Sequence, residues 1–385
     1  MSMDTTILRN RFRGQFGTSG DLYFSPGRIN LIGEHTDYNG GFVFPGAIDK
    51  GITIEIYRNG SRKVCLLALD RKDDSYLEFS LDDTEKPSVH WACYIFGVCK
   101  ELEKRGITLG GFNAAFTGDV PLGAGMSSSA ALESVFAFAL NTMFAGGRVD
   151  KFELAKIGQA TEHNYCGVKC GIMDQFASVL GREGCLIRLD CRSLEYEYFP
   201  FNPEGYRLVL VNSMVKHSLG NEYNERRESC EKAVELMNSR FGSVETLRDA
   251  NHQMLDDVKD KLTDQDYLRA KYVLDEKDRV LAVCDALVNS DYELVGKKMY
   301  ETHWGLSRDY TVSCPELDFL VETAQECGVT GSRIMGGGFG GCTLNLVRDT
   351  LYDKFISKAT RDYSRKFGIT PKVYSVVIGD GSRKL

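Results

Sequence analysis

Between residues 112 and 143 the apolar period changes from two to about 3.6 across a glycine-rich turn. That change restricts the chain to folds that set a strand directly before a helix N-terminus. Phe112, Ala114 and Phe116 alternate as on a strand, and Gly118-Asp119-Val120-Pro121 ends it, because proline lacks the N–H that a strand interior needs. From Ser129 onward, Leu132, Val135, Phe136, Ala139, Leu140 and Met143 recur at three and four, one side of a helix. The turn between them reads Pro121-Leu-Gly-Ala-Gly-Met-Ser-Ser-Ser-Ala-Ala131. A helix N-terminus carries unpaired N–H groups and a partial positive charge. Glycines ahead of it let an anion come close to the backbone, which makes a cradle for phosphate. The serine hydroxyls can touch phosphate oxygens or ligate Mg²⁺. A capped helix is the plainer reading, since serine is a favoured N-cap. Three hydroxyls behind Gly-Ala-Gly are more than capping requires.

The chain has 385 residues, 43% hydrophobic and 26% charged. A single core stops growing at roughly 250–300 residues, so two domains are expected. Ile52, Ile54 and Ile56 mark a strand over Ile52–Tyr57. Helices are predicted over about Lys151–Tyr165, Asp174–Leu180, 222–240 and 264–289. Short strands are predicted over Arg207–Val211, Cys342–Val347 and Pro371–Ile378. The mix is α+β rather than a regular alternation. Phe-Pro-Phe-Asn-Pro-Glu-Gly breaks the pattern near 205, which divides the chain into 1–205 and 206–385. Gly336-Gly-Gly-Phe-Gly-Gly341 contains G-x-G-x-x-G but leads into a strand, so the dinucleotide fingerprint is not met. It reads either as a turn between strands or as backbone packed against a ligand or the other glycine loop.

Arg28, Glu34, His35 and Asp37 lie on one glycine-flanked stretch, Gly27–Gly41. Carboxylates accept from sugar hydroxyls while Arg and His donate, so the set suits a polyhydroxyl ligand. A solvated turn with an Arg–Glu pair would carry the same residues. Asp174 follows a loop at a helix start, where it is either a cap or a reactive carboxylate. Glu162 falls near a helix C-terminus, an unfavourable place for a carboxylate that a cation such as Mg²⁺ would relieve. Trp91 and Tyr94, three apart on a helix, read first as core aromatics. A net charge of -7 argues against nucleic acid or an anionic membrane as partner. The 12 Cys show no C-x-x-C spacing, so a zinc site is not expected. With no apolar leader and no membrane-length apolar run, a cytoplasmic protein is expected.

Together these segments resemble the galactokinase branch of the GHMP small-molecule kinase superfamily. Gly27–Gly41 is similar to the galactokinase signature, Pro121–Ala131 to the superfamily's ATP-phosphate loop, Cys170–Gln175 to the segment with its catalytic aspartate, and Gly331–Cys342 to its third glycine motif. They occur in the family order over about 24–345. The resemblance implies two α+β domains with mixed sheets and an active site in the cleft between them. It implies Asp174 as acid/base residue with Arg28 beside it, and Glu34, His35, Asp37, Gly171 and Tyr223 as holders of the sugar hydroxyls. Gly123, Ala124, Gly125, Met126, Ser127 and Ser128 would wrap the ATP phosphates, Trp91 and Tyr94 would flank the adenine, and Ser129 with Glu162 would ligate Mg²⁺. The activity implied is ATP-dependent phosphorylation of galactose at C1, by a monomer. Met335 departs from the threonine common in the family, which bears on the choice of sugar. N-acetylgalactosamine as acceptor, or a sugar sensor without catalysis, are the alternatives. The intact Ser127–Ala131 run, with Arg28 and Asp174, argues against the sensor.

Overall fold

The computed structural model describes residues 5–71, 75–120, 125–215 and 220–385, apart from the side chains of residues 220, 221 and 223. The alternating residues form the centre of a six-stranded sheet. Its strand order is Arg383–Lys384, Asp21–Asn30, Pro45–Arg58, Phe112–Gly118, Lys63–Ala68 and Tyr76–Ser80. All neighbours are antiparallel except Lys63–Ala68 with Phe112–Gly118. That parallel pair needs a crossover, and the helix His90–Lys104 supplies it. Side-chain parity decides what each face meets. Tyr23, Ile54, Leu66 and Ala114 point into a core shared with helices His90–Lys104, Ser128–Ala145, Lys151–Thr161 and Met173–Leu180. Their sequence neighbours Leu22, Leu67 and Ala115 point the other way and are covered by Leu8 and Phe12 of the helix Thr6–Phe16.

The second half of the chain builds an antiparallel sheet in the order Gly331–Ile334, Cys342–Arg348, Tyr206–Asn212, Lys372–Val376. Val209, Val211 and Val347 face helices Pro315–Cys327 and Tyr352–Phe367. Leu208, Leu210, Leu344 and Leu346 face the first half and share one core with Ile29, Leu31, Phe44, Ile48 and Met126. A small third sheet, Phe42–Val43, Cys185–Asp190 and Tyr196–Pro200, lies beside this junction. The chain end then returns to the first sheet, where Tyr23 pairs with Lys384 and Ser25 Oγ meets Ser382 Oγ at 2.8 Å. The architecture is thus two α+β domains with a common apolar junction. All 12 cysteines are free thiols. Among the described residues no group of three or more His, Cys, Asp or Glu is placed to hold a metal ion.

The strand expected over Ile52–Tyr57 begins earlier, at Pro45, and one helix also departs from its sequence reading. The helix expected over Lys151–Tyr165 stops as an α-helix at Thr161, and Glu162–Cys166 forms a π turn. A π turn inserts one residue into the helical ladder and so re-aims the side chains that follow, which local periodicity does not register.

Leu344→Ala would empty part of the junction core, at a cost of about 2–5 kcal/mol. Urea unfolding followed by circular dichroism and by tryptophan fluorescence should shift together, because both domains bury that side chain's neighbours. Two separated transitions with only one displaced would show that the domains unfold independently.

Candidate active site

The glycine loops pack on one another where the domains meet. Gly125 has φ +75°, and a Cβ there would sit 3.0 Å from Met335 O. Gly336 at φ +81° lies against Gly125 in turn. Gly27 is held as tightly, since a Cβ would stand 2.6 Å from Met126 O. The Gly336–Gly341 run is therefore a turn between strands and also a backbone surface against the first glycine loop. Around this contact opens a cleft of about 530 Å³. Its walls carry Arg28, Glu34, His35, Asp37, Tyr94, Gly125, Met126, Ser127, Ser128, Ser129, Glu162, Gly171 and Asp174. Residues separated by nearly 150 positions in sequence thus meet in one cavity.

Asp174 stands in the first turn of the helix Met173–Leu180. Its Oδ1 accepts from Arg28 Nε at 2.8 Å, and its Oδ2 accepts from Ser127 Oγ. Arg28, 4% exposed, also donates to Gly125 O, which ties the pair to the first glycine loop. Ser127 occupies the N-cap position of the helix Ser128–Ala145 but makes no capping bond. It adopts φ 55°, ψ 57°, a left-handed conformation unusual for a residue with a side chain. The backbone is bent so that the hydroxyl meets Asp174 instead of the helix N–H groups. The plainer reading of this serine as a cap is therefore set aside. With both oxygens accepting, Asp174 acts toward its neighbours as a carboxylate acceptor.

Glu34 is buried, and its Oε1 accepts from Arg333 Nη2 at 2.8 Å and from Gly336 N at 2.9 Å. His35 follows at φ 62°, with Nδ1 2.8 Å from Tyr38 Oη. Burial pushes its imidazole down to about 3, so it is neutral. Asp37 presses on Gly171, where any Cβ would fall on its carboxylate. Only glycine fits that position, which explains Gly171 on steric grounds alone. Burial, with Asp174 and Glu34 nearby, raises the Asp37 carboxyl to about 7.

Glu162, 6% exposed, opens the π turn and faces the cleft with Ser129. Burial raises its carboxyl to about 7, Asp174 adds to the rise, and the Ser129 hydroxyl opposes it. Behind it lies Glu133, fully buried and pushed well up by the same burial. Gln175 Nε2 bridges the two, 3.2 Å from Glu133 Oε2 and 3.4 Å from Glu162 Oε1. A carboxylate and a hydroxyl on a wall short of cations fit a hard divalent ion that keeps oxygen ligands from a bound phosphate.

Tyr94 lines the cleft, but Trp91 does not. Trp91 is 8% exposed and packs edge-on against Phe116 at 5.3 Å, as a core aromatic. Gly123 and Ala124 lie outside the described residues. Tyr223 falls on the helix Gly220–Phe241, with its side chain outside the described set. Arg333, Gln175 and Lys169 were missed from sequence. Lys169 and Arg28 are the lysine and arginine of the described lining, against four carboxylates. Arg333 had one signal, a charge directly before the apolar pair Ile334-Met335 that leads into the glycine run. Gln175 had only its place beside Asp174.

Two outcomes follow from this geometry. Arg333→Met would leave Glu34 buried without its cation and cost about 3–5 kcal/mol in urea unfolding. Adding Glu34→Gln should recover part of that loss, whereas no recovery would mean the pair is not the source. Asp37 has a folded-state pKa near 7, above its unfolded 3.8. The stability it contributes is complete below about pH 4 and lost as pH rises through 7. Melting temperatures of sugar-free protein from pH 5 to 8 should therefore fall less steeply for Asp37→Asn than for wild type. Equal slopes would show that Asp37 is ionised throughout.

Comparison with known proteins agrees with this arrangement. Residues 10–58 match the galactokinase galactose-binding signature, 93–182 the GHMP kinases N terminal domain and 284–364 the GHMP kinases C terminal domain. Galactokinases of Clostridium acetobutylicum and Clostridium beijerinckii are 40% and 39% identical, each alignment covering 98% of both chains. The structure of Lactococcus lactis galactokinase complexed with galactose superposes with a TM-score of 0.94 at 35% identity, covering 99% of both chains. Methanococcus jannaschii mevalonate kinase shares the fold, at a TM-score of 0.67 and 18% identity over 95% of this chain and 100% of that one. A shared fold, a full-length relationship and a cleft built from the expected motifs lead to one conclusion: the chain belongs to the galactokinase family of GHMP kinases.

Proposed function

We propose that this enzyme transfers the γ-phosphoryl group of ATP to the C1 hydroxyl of D-galactose, giving galactose 1-phosphate and ADP. The observation that carries the reading is the Arg28–Asp174–Ser127 cluster, set between the sugar-type loop and the N-terminus of the helix Ser128–Ala145. Phosphoryl transfer asks a protein for alignment and charge stabilisation more than for covalent chemistry. Glu34, His35, Asp37, Gly171 and Tyr223 hold the sugar hydroxyls. The rigid seating of Glu34 on Arg333 and of Asp37 on Gly171 supports that assignment, because preset partners lower the ordering cost of binding. Gly123–Ser128 and the helix N-terminus cradle the phosphates. Tyr94 flanks the adenine, with Trp91 supporting it from the core side.

Asp174 accepts the proton of the attacking hydroxyl or stabilises it during attack, and Arg28 fixes the carboxylate and offsets negative charge at the reaction centre. The same carboxylate oxygen now bonded to Ser127 must then turn to the sugar or be shared with it. Ser129 and Glu162 would hold Mg²⁺, which when bound supplies charge neutralisation for the phosphate oxygens. We take the enzyme to be a cytoplasmic monomer with its domain boundary near 205. The 12 free thiols suit a reducing compartment. Among the described residues no helix is long and apolar enough to cross a membrane.

ADP release with MgATP should depend on galactose and exceed that with N-acetylgalactosamine, glucose or no sugar. Asp174→Asn should lower kcat by about 10²–10⁴ if proton acceptance matters. Near-normal turnover in that variant would remove Asp174 from the mechanism. An absence of ADP with every sugar, from protein shown to bind ATP, would overturn the reaction itself.

A further inference from the structure

The sugar-type loop is fixed at its backbone by a carboxylate that lies behind the cleft. Glu276 sits in the helix Asp264–Val288 of the second domain and is fully buried. Its Oε1 accepts from Gly33 N at 2.7 Å, and its Oε2 accepts from Arg279 Nε at 2.6 Å and from Thr302 Oγ1 at 2.8 Å. Arg279 is one turn on in the same helix, and Thr302 belongs to the helix Tyr292–Arg308. A buried carboxylate is costly unless it is paired. Here a cation and a hydroxyl take one oxygen, and the other is kept for a single backbone N–H. Gly33 has φ +97°, and a Cβ there would stand 2.7 Å from Phe42 O and 3.0 Å from Val280 Cγ2. Only glycine makes this turn, and glycine holds a backbone conformation least firmly by itself. The next carbonyl, Glu34 O, accepts from Tyr272 Oη of the same helix at 3.2 Å. The Arg279 guanidinium lies 5.3 Å from the Tyr272 ring, so the two anchors support each other. One helix of the second domain therefore grips the main chain of a first-domain loop at Gly33 and Glu34.

Resting on the assignment of Glu34 to the sugar, we infer that Glu276 is a positioning residue for sugar binding: through the Gly33 N–H it holds the loop in the conformation that presents the Glu34 side chain to the cleft. Arg333 and Gly336 hold Glu34 at its Oε1, but those bonds fix the end of a side chain whose backbone starts from a glycine turn. A hydrogen bond to an ionised acceptor is roughly twice as strong as a neutral one, which suits it to pin that turn. Glu276 is not part of the described cleft lining, so it acts on affinity only through the order of the loop. A loop already set in its bound form loses less freedom when the sugar arrives. Sugar affinity is therefore the quantity that depends on Glu276. Nucleotide affinity, assigned to the glycine loop before the helix Ser128–Ala145, does not.

Because Glu276 also carries an ion pair, the test compares two double variants that both lack the cation. Glu276→Gln with Arg279→Met keeps an acceptor for Gly33 N, and Glu276→Met with Arg279→Met removes it. Galactose and MgADP affinities are measured by calorimetry for both and for wild type. The expected result is galactose bound about tenfold more weakly by the Glu276→Met pair than by the Glu276→Gln pair, the size of one backbone hydrogen bond. MgADP should bind equally to both. Equal galactose affinity in the two pairs would overturn the inference while leaving Glu34 in the sugar site. A fall in MgADP affinity by the same factor would overturn it too, since the whole cleft would then have loosened. Wild-type protein that binds MgADP but not galactose would remove the sugar assignment, and the inference with it. A further measurement needs no variant to fold. In the sugar-free wild-type protein, hydrogen exchange resolved to single residues should find the Gly33 N–H as protected as the amides of the strand Pro45–Arg58. Exchange as fast as in an open turn would overturn the inference.

Discussion

The cleft is organised around the ion pair between Arg333 and Glu34. Arg333 is fully buried, yet its guanidinium donates to Leu31 O at 2.9 Å, Ile334 O at 2.7 Å, Asn30 O and the Glu34 carboxylate. Glu34 also accepts from Gly336 N. One side chain thus joins the end of the first sheet, the sugar-type loop and the third glycine run. A buried pair contributes little net stability over an apolar packing of equal volume, but it is strict about geometry, since losing either partner leaves a charge stranded. That strictness suits a place where two domains must present a single cavity. Gly125, Gly27 and Gly336 then let the loops close to backbone contact around it.

Charge in the cleft is arranged against the needs of the isolated protein. Glu34, Asp37, Glu162 and Asp174 line one cavity, with Glu133 behind them. Asp37 and Glu162 are raised toward neutrality chiefly by burial. Such groups cost folding energy, and under the proposed function they would hold sugar hydroxyls that donate and a divalent cation. The same proposal gives anionic phosphate to other groups, the backbone N–H groups at the start of the helix Ser128–Ala145. A protein of net charge -7 can bind a nucleotide in this way, because the attraction is local and dipolar.

Much of this was legible in the sequence. Period-two and period-3.6 patterns located the strands Phe112–Gly118 and Tyr206–Asn212 and the helices Ser128–Ala145 and Met173–Leu180 to within a residue or two. They did so because side-chain period is a property of local backbone geometry. The glycine stretches marked the loops, since close backbone approach excludes a Cβ. Arg28 and Asp174 were legible as candidates, and the family motifs joined them.

What the sequence alone determined was the set of local elements, their order and the residue types at the site. Only the tertiary structure decided that Ser127 would turn from helix capping to Asp174, that Trp91 would sink into the core while Tyr94 faced the cleft, and that Thr161 would give way to a π turn. It alone placed Arg333 on Glu34, across 299 positions of chain, and Tyr310 on Tyr38, across 272. Contacts at such separations leave no periodic trace, because neither residue's neighbours carry information about the other. They exist once two sheets and their helices have packed, and packing is settled by the shape of the whole core.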